Sequence, residues 1–243
     1  DLQLKGKTAL VTGASMGIGR AIAKGLAAEG VKVCITARRG QLLKELAEEI
    51  VAGGGPRPHI AIVDIMEEDA PQRLAQDALA ALGQVDILVN CAGGSRPLPI
   101  DAPDEKWMEA MTLNFTRVRQ LTHALLPSMI KLGWGRIINI TGKSEPESLN
   151  VANSAKAGIH AWAKGLSRDV GKFGITVNSI PPGRIESEQA LVNHPLAMRG
   201  KLYQEIPVGR FGQPEELACV AVFLASPLAC YVTGVVIPVD GGR

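Results

Sequence analysis

Neither sign of charge dominates this chain. Lys and Arg number 26 against 24 Asp and Glu, a formal net charge of +2, which is too even for the basic footprint that nucleic acid selects. Cysteine is scarce too. The 4 residues, Cys34, Cys91, Cys219 and Cys230, show no paired ligand spacing, so no metal site is expected. Cys34 and Cys91 lie in or beside apolar runs, the setting of buried free thiols in a reducing, cytoplasmic compartment. Residues 1–7 lack the long apolar stretch of an export signal. One uncharged run, residues 217–239, has enough positions to span a bilayer, but Ser226-Pro227, Thr233-Gly234 and Pro238 break it. A buried helix followed by a buried strand explains it better, and no membrane partner is expected. Internal repeats and low-complexity tracts are also missing. The remainder, 243 residues with 46% hydrophobic content, can build one large core, and residues 1–243 read as one domain.

What is present centres on Val11-Thr12-Gly13-Ala14-Ser15-Met16-Gly17-Ile18-Gly19-Arg20. A short apolar run, Thr8-Ala9-Leu10-Val11, precedes it, and Ala21 to Ala27 follows with apolar residues at helical spacing. A strand that turns at once into a helix through three glycines has a specific physical use. The backbone can turn tightly and approach a ligand, and the first helical N–H groups then face an anion. A dinucleotide pyrophosphate is the usual anion.

Strand and helix signals alternate from there to the end. Strands are predicted over 31–36, 59–63, 85–90, 136–140, 175–180 and 234–239. Helices are predicted over 41–50, 70–82, about 104–132 and about 150–173, with a last one opened by Gln213-Pro214-Glu215-Glu216. This alternation implies an α/β fold, a doubly wound parallel sheet of about seven strands with helices on both faces. The ligand is expected beyond the carboxyl ends of the strands. At the end of the second strand stand Ala37, Arg38 and Arg39. An NAD site usually places Asp or Glu there. Two guanidinium groups without a carboxylate favour a 2′-phosphate instead, hence NADP(H), with NAD(H) possible.

Taken together, these motifs resemble the short-chain dehydrogenase/reductase family over essentially the whole chain. The resemblance implies a Rossmann-type sheet and a cofactor site built from Gly13, Ser15, Gly17, Ile18 and Gly19, with Asp64 and Ile65 at the adenine. Asn90-Cys91-Ala92-Gly93 is similar to the family's Asn-Asn-Ala-Gly, so Asn90, Ala92 and Gly93 belong to the same site. Pro182-Gly183-Arg184-Ile185-Glu186-Ser187 resembles Pro-Gly-x-Ile-x-Thr, which cradles the nicotinamide amide through Pro182, Gly183, Ile185 and Ser187. Asn114 matches the asparagine of the proton relay, and Lys156 matches the lysine that holds the ribose and lowers a tyrosine's pKa.

The pattern departs where the chemistry is expected. The family's tyrosine stands four residues before its lysine, and position 152 is alanine. The position matching the family serine is Gly142. Neither Tyr203 nor Tyr231 belongs to this helix, and the longer spacing of enoyl reductases meets Leu149. Three explanations stand open. A nearby group has taken the role, with Thr141, Lys143, Glu145 and Ser148 as candidates; the fold binds NADP without redox turnover; or the proton comes from water or substrate in a non-redox step. A lid is expected over 186–211, and Arg96, Lys143 and Arg184 offer cations for an anionic small-molecule substrate. His160 and His194 have no motif partner and are expected to be packing or surface residues. The family resemblance further implies a homotetramer or homodimer.

Overall fold

The computed structural model describes residues 1–143, 146, 148–188, 190 and 199–243. Six strands form one parallel sheet: β1 (Thr8–Thr12), β2 (Lys32–Ala37), β3 (His59–Ile62), β4 (Ile87–Asn90), β5 (Gly135–Ile140) and β6 (Ile175–Ile180), in the order β3-β2-β1-β4-β5-β6. All five residues of β1 and all six of β6 are buried. Helices cover both faces of a parallel sheet, which is why Ala9-Leu10-Val11 in β1 reads as an apolar run; β6 buries Thr176, Asn178 and Ser179 as well.

On one face, α1 (Gly17–Ala28), α2 (Gly40–Ala52) and α8 (Pro214–Ala225) bury Ile22, Leu26, Leu46 and Leu217 against Val11, Ile35 and Val89. On the other, α3 (Ala70–Leu82), α5 (Arg117–Leu132) and α6 (Val151–Val170) bury Leu74, Leu125 and Ala163 against Leu10, Leu88 and Val177. The chain leaves β1 toward β2 and β3, then returns to β4 on β1's other side. The β1–β4 boundary is therefore the switch point, where diverging connections open a crevice at the strand carboxyl ends.

Three differences from the sequence reading have local causes. The stretch at 234–239 runs parallel to β6 without becoming a regular strand. Val236 bridges Ser179 and Val239 bridges Pro182, with Ile237 N donating to Ser179 O at 2.9 Å. Pro181 removes the donor that would bond Ile237 O between the bonds at Ser179 and Gly183, so the ladder stays broken and six regular strands stand among the described residues. β4 starts at Ile87 because Asp86 is engaged at its edge: its Oδ2 accepts from Thr8 N at 2.9 Å and Thr8 Oγ1 at 3.0 Å. The helix predicted at 104–132 is interrupted. It runs as α4 (Asp104–Met111), a π turn (Thr112–Thr116) and then α5. A short α7 (Arg199–Gln204) precedes α8.

Candidate active site

The β1–α1 turn is built around contacts that only glycine permits. Gly13 and Gly17 adopt φ of +66° and +53°, conformations that L side chains rarely take. A Cβ on Gly13 would lie 3.0 Å from Ala92 N, and one on Gly19 would lie 2.4 Å from Gly13 O. Thr12 ties this turn to the next loop, because its Oγ1 accepts from both Cys91 N and Ala92 N at 2.9 Å. Motif matching did not single out this hydroxyl. Met16 gives α1 no side-chain cap, and the first turn carries no acid. The amino end of a 12-residue helix is thus available to an anion.

Around the turn lies a cavity of about 630 Å³. Its wall includes Gly13, Ser15, Gly17, Ile18, Gly19, Arg38, Arg39, Asp64, Ile65, Ala92, Gly93, Pro182 and Ser187, residues far apart in sequence that were grouped from motifs. Four site candidates stand behind the wall instead. Asn90 is buried, and its amide donates to Thr122 Oγ1 at 3.1 Å and Asn139 Oδ1 at 2.9 Å, joining three elements beneath the site. Ile185 belongs to the core and Gly183 backs onto Asp240, where a Cβ would come within 2.4 Å of Cα. Asn114, buried in the π turn, accepts from Gly94 N at 3.1 Å and donates to Ala110 O at 3.0 Å. It holds the loop that carries Gly93 and Gly94.

Opposite the glycine turn, Ala152, Asn153, Lys156 and Thr141 share the wall. Asn150 caps α6, accepting from Ala152 N at 3.1 Å, and its Oδ1 also accepts from Arg96 N at 3.0 Å. One helical turn beyond Ala152, Lys156 Nζ donates to Thr141 O at 3.2 Å. Burial holds the ammonium below the usual lysine range, while the neighbouring Cys91 works the other way. Burial likewise pushes the Cys91 thiol up to about 11, with Lys156 pulling it down. Thr141 turns its hydroxyl to His160, whose Nε2 lies 2.8 Å away. His160 is therefore more than a packing histidine, and burial lowers its pKa from the ordinary value. Gly142 leaves no side chain beside them; a Cβ there would sit 3.2 Å from Asn153 Oδ1 and 3.4 Å from Lys156 Cδ.

The other candidates are not gathered here. Lys143 is half-buried but not on the cavity wall, and Ser148 is exposed. Glu145 and His194 lie outside the described residues, as do positions 189 and 191–198 of the expected lid. Arg96 is on the wall, yet Glu109 takes up its guanidinium, with Nε at 3.1 Å and Nη2 at 3.0 Å from Oε1. Arg184 pairs with Glu205 at 3.1 Å. Two of the three cations expected to meet an anionic substrate are thus matched by carboxylates that spacing gave no way to pair. Among the described residues, no three His, Cys, Asp or Glu side chains gather as a metal site, and no helix is long and apolar enough to cross a membrane.

Residues 13–243 match a family profile described as Enoyl-(Acyl carrier protein) reductase. The chain belongs to the short-chain dehydrogenase/reductase family. Among its relatives, 3-oxoacyl-(acyl-carrier-protein) reductase of Aquifex aeolicus is 37% identical over 249 residues, covering 100% of this chain and 99% of that protein. The 7alpha-hydroxysteroid dehydrogenase of Escherichia coli is 35% identical over 245 residues, covering 100% and 96%. Among solved structures, a 7 alpha-hydroxysteroid dehydrogenase complexed with NADH and 7-oxo glycochenodeoxycholic acid superposes with a TM-score of 0.95 at 35% identity, covering 99% of this chain and 95% of that one. Pseudomonas aeruginosa RhlG in an NADP complex gives 0.90 at 34% identity, with 99% and 97% covered. The short-chain dehydrogenase/reductase fold is therefore shared along nearly the full length of the chain, and these relatives are oxidoreductases or hold nicotinamide dinucleotides.

Proposed function

We propose that this short-chain dehydrogenase/reductase is an NADP(H)-dependent oxidoreductase for a small carbonyl or hydroxyl compound, and that its proton donor is not a tyrosine. The cavity fits a dinucleotide on three counts: the Cβ-free cradle of Gly13 and Gly19, the uncapped amino end of α1, and a volume within the range of cofactor clefts. Arg38 and Arg39 on its wall, and Ser15 with them, favour a 2′-phosphate. When bound, the nicotinamide supplies or accepts a hydride.

The observation that carries the proposal is the half-buried Lys156 on the wall, its Nζ held by Thr141 O at 3.2 Å, one helical turn from the alanine that replaces the family's acid. A lysine pKa drawn down by burial lies closer to working pH, which makes the ammonium a better acid and its neutral form a usable base. Thr141 O orients Nζ, and the Thr141 hydroxyl, held by His160, keeps that strand end in place. Asn114 fixes the facing loop through Gly94 N. Since Glu109 pairs with Arg96, and Arg184 is held by Glu205 off the cavity wall, a neutral substrate fits better than an anionic one. Exposed Ile100 and Met108 near α4, and Phe223 and Tyr231 near the C-terminus, suit a homo-oligomer.

Lys156→Arg separates binding from proton transfer, because a guanidinium keeps the charge but does not release a proton. The expected outcome is NADPH affinity within a few-fold of wild type and kcat lower by about 10²-fold or more. Retained kcat would overturn Lys156 as donor. A second reading, a cofactor-binding protein without redox turnover, is favoured by the missing side-chain hydroxyls at Ala152 and Gly142. Tight NADPH binding with no turnover across a carbonyl panel would establish it.

A further inference from the structure

Arg39 is already engaged. Its Nη1 lies 3.2 Å from Glu188 Oε2, and its Nη2 donates to Ser15 Oγ at 3.4 Å. Nη2 also meets Met16 Sδ at 2.6 Å, and the two oxygen partners differ in kind. Ser15 belongs to the glycine turn on the cavity wall. Glu188 follows Ser187, another wall residue that lies under Gly17, where a Cβ would sit 3.5 Å from Ser187 Cβ. The Arg39–Glu188 pair thus bridges the opening of the cleft, joining the end of β2 to a segment 149 residues away. Its carboxylate holds, through one contact, a guanidinium that a 2′-phosphate would seek.

We infer that Glu188 tunes the cofactor preference of this site, acting as an internal anion that competes with the 2′-phosphate for Arg39. The inference rests on the reading that this cavity binds NADP(H). A dinucleotide with a free 2′-hydroxyl brings no charge to Arg39 and leaves the pair intact. One with a 2′-phosphate must either displace Glu188 or share Arg39 with it while lying beside a like charge. Glu188 therefore narrows the advantage that Arg38 and Arg39 give to NADP(H) and leaves NAD(H) almost untouched. The neighbouring pair is looser: Arg38 Nη1 is 3.8 Å from Asp64 Oδ2, and Asp64 Oδ1 accepts from Met66 N at 3.0 Å.

The test is equilibrium titration of the purified full-length chain with NADPH and with NADH, followed by nicotinamide fluorescence, in wild type, Glu188→Gln, Arg39→Gln and the double variant. Both partners are largely exposed, at 48% and 61%, so the fold should survive each change. Glu188→Gln is expected to tighten NADPH by about two- to fivefold at low salt, the span measured for exposed ion pairs. NADH affinity should not move, and the NADPH gain should shrink as salt rises. In the Arg39→Gln background the gain should vanish. An equal gain for NADH, a gain that persists without Arg39, or no gain while both dinucleotides bind would overturn the role of Glu188 alone. If neither dinucleotide binds the wild type, the cofactor reading fails and this inference fails with it.

Discussion

Ala152→Tyr puts a phenol where this chain carries a methyl group, and the outcome can be bounded from the surroundings. Position 152 is 3% exposed and lies on the cavity wall, four residues before Lys156 on α6. Side chains at that spacing share a helix face, so the new hydroxyl would reach the ammonium, which lowers a phenol's pKa. Forcing a ring into a packed wall costs about 1–3 kcal/mol, and the open 630 Å³ cavity beside it sets the lower end. A positioned general acid contributes about 10²- to 10⁴-fold, or roughly 3–5.5 kcal/mol of barrier. Under the proposed mechanism Lys156 already supplies a positioned acid, so the phenol adds only the difference between two donors. The expected result is a kcat for NADPH-dependent carbonyl reduction within about tenfold of wild type, with NADPH affinity little changed. Gly142→Ser adds a second hydroxyl with small shifts in Asn153 and the Lys156 stem, 3.2 and 3.4 Å from the new Cβ, and the double variant should stay in the same range. If Ala152→Tyr folds, binds NADPH like the wild type and turns over about 10²-fold faster or more, the wild type has no positioned acid and Lys156 as donor is refuted.

Two further outcomes follow from the same geometry. Gly19→Ala would put a methyl group 2.4 Å from Gly13 O, where backbone must yield; a loss of about 1–3 kcal/mol in chemical denaturation is expected, with NADPH binding weakened by about tenfold or more because the first turn of α1 shifts. Binding and stability both equal to wild type would contradict this account of the turn. Glu216, which accepts from Arg210 and from Gln213 N at the start of α8, has its carboxyl lowered from 4.5 to about 2. Its contribution is complete above 4.5 and is lost as pH falls through about 2; a carboxyl-carbon NMR titration with its midpoint near 4.5 would refute this capping geometry.

The fold was legible because parallel strands buried on both faces leave apolar runs such as Ala9-Leu10-Val11 and Ile87-Leu88-Val89, and glycine turns punctuate them. The cavity wall around the glycine turn was legible too, since its residues fall in short motifs in chain order. Two kinds of feature were not. The backbone donor missing at Pro181 turned a predicted strand into a bridged run. Pairs across long separations, Arg39 with Glu188, Arg96 with Glu109 and Thr141 with His160, leave no periodic trace in one sequence. Asn90 and Asn114, read as site residues, lie behind the cavity wall with their amides bonded to neighbouring elements, a placement only three-dimensional neighbours reveal.

The π turn at Thr112–Thr116 gives a single rod two independent headings. One surplus residue rotates everything after it by about 100° relative to an uninterrupted α-helix. The upstream half, α4, can therefore face α6 and carry Glu109 to the cleft, while the downstream half, α5, presents Leu121, Leu125 and Met129 to the sheet and α3. Deleting one residue from this turn would straighten the rod and force a choice between cleft and core. Changes on the cleft-facing side of α4 can thus proceed without disturbing the hydrophobic seam of α5.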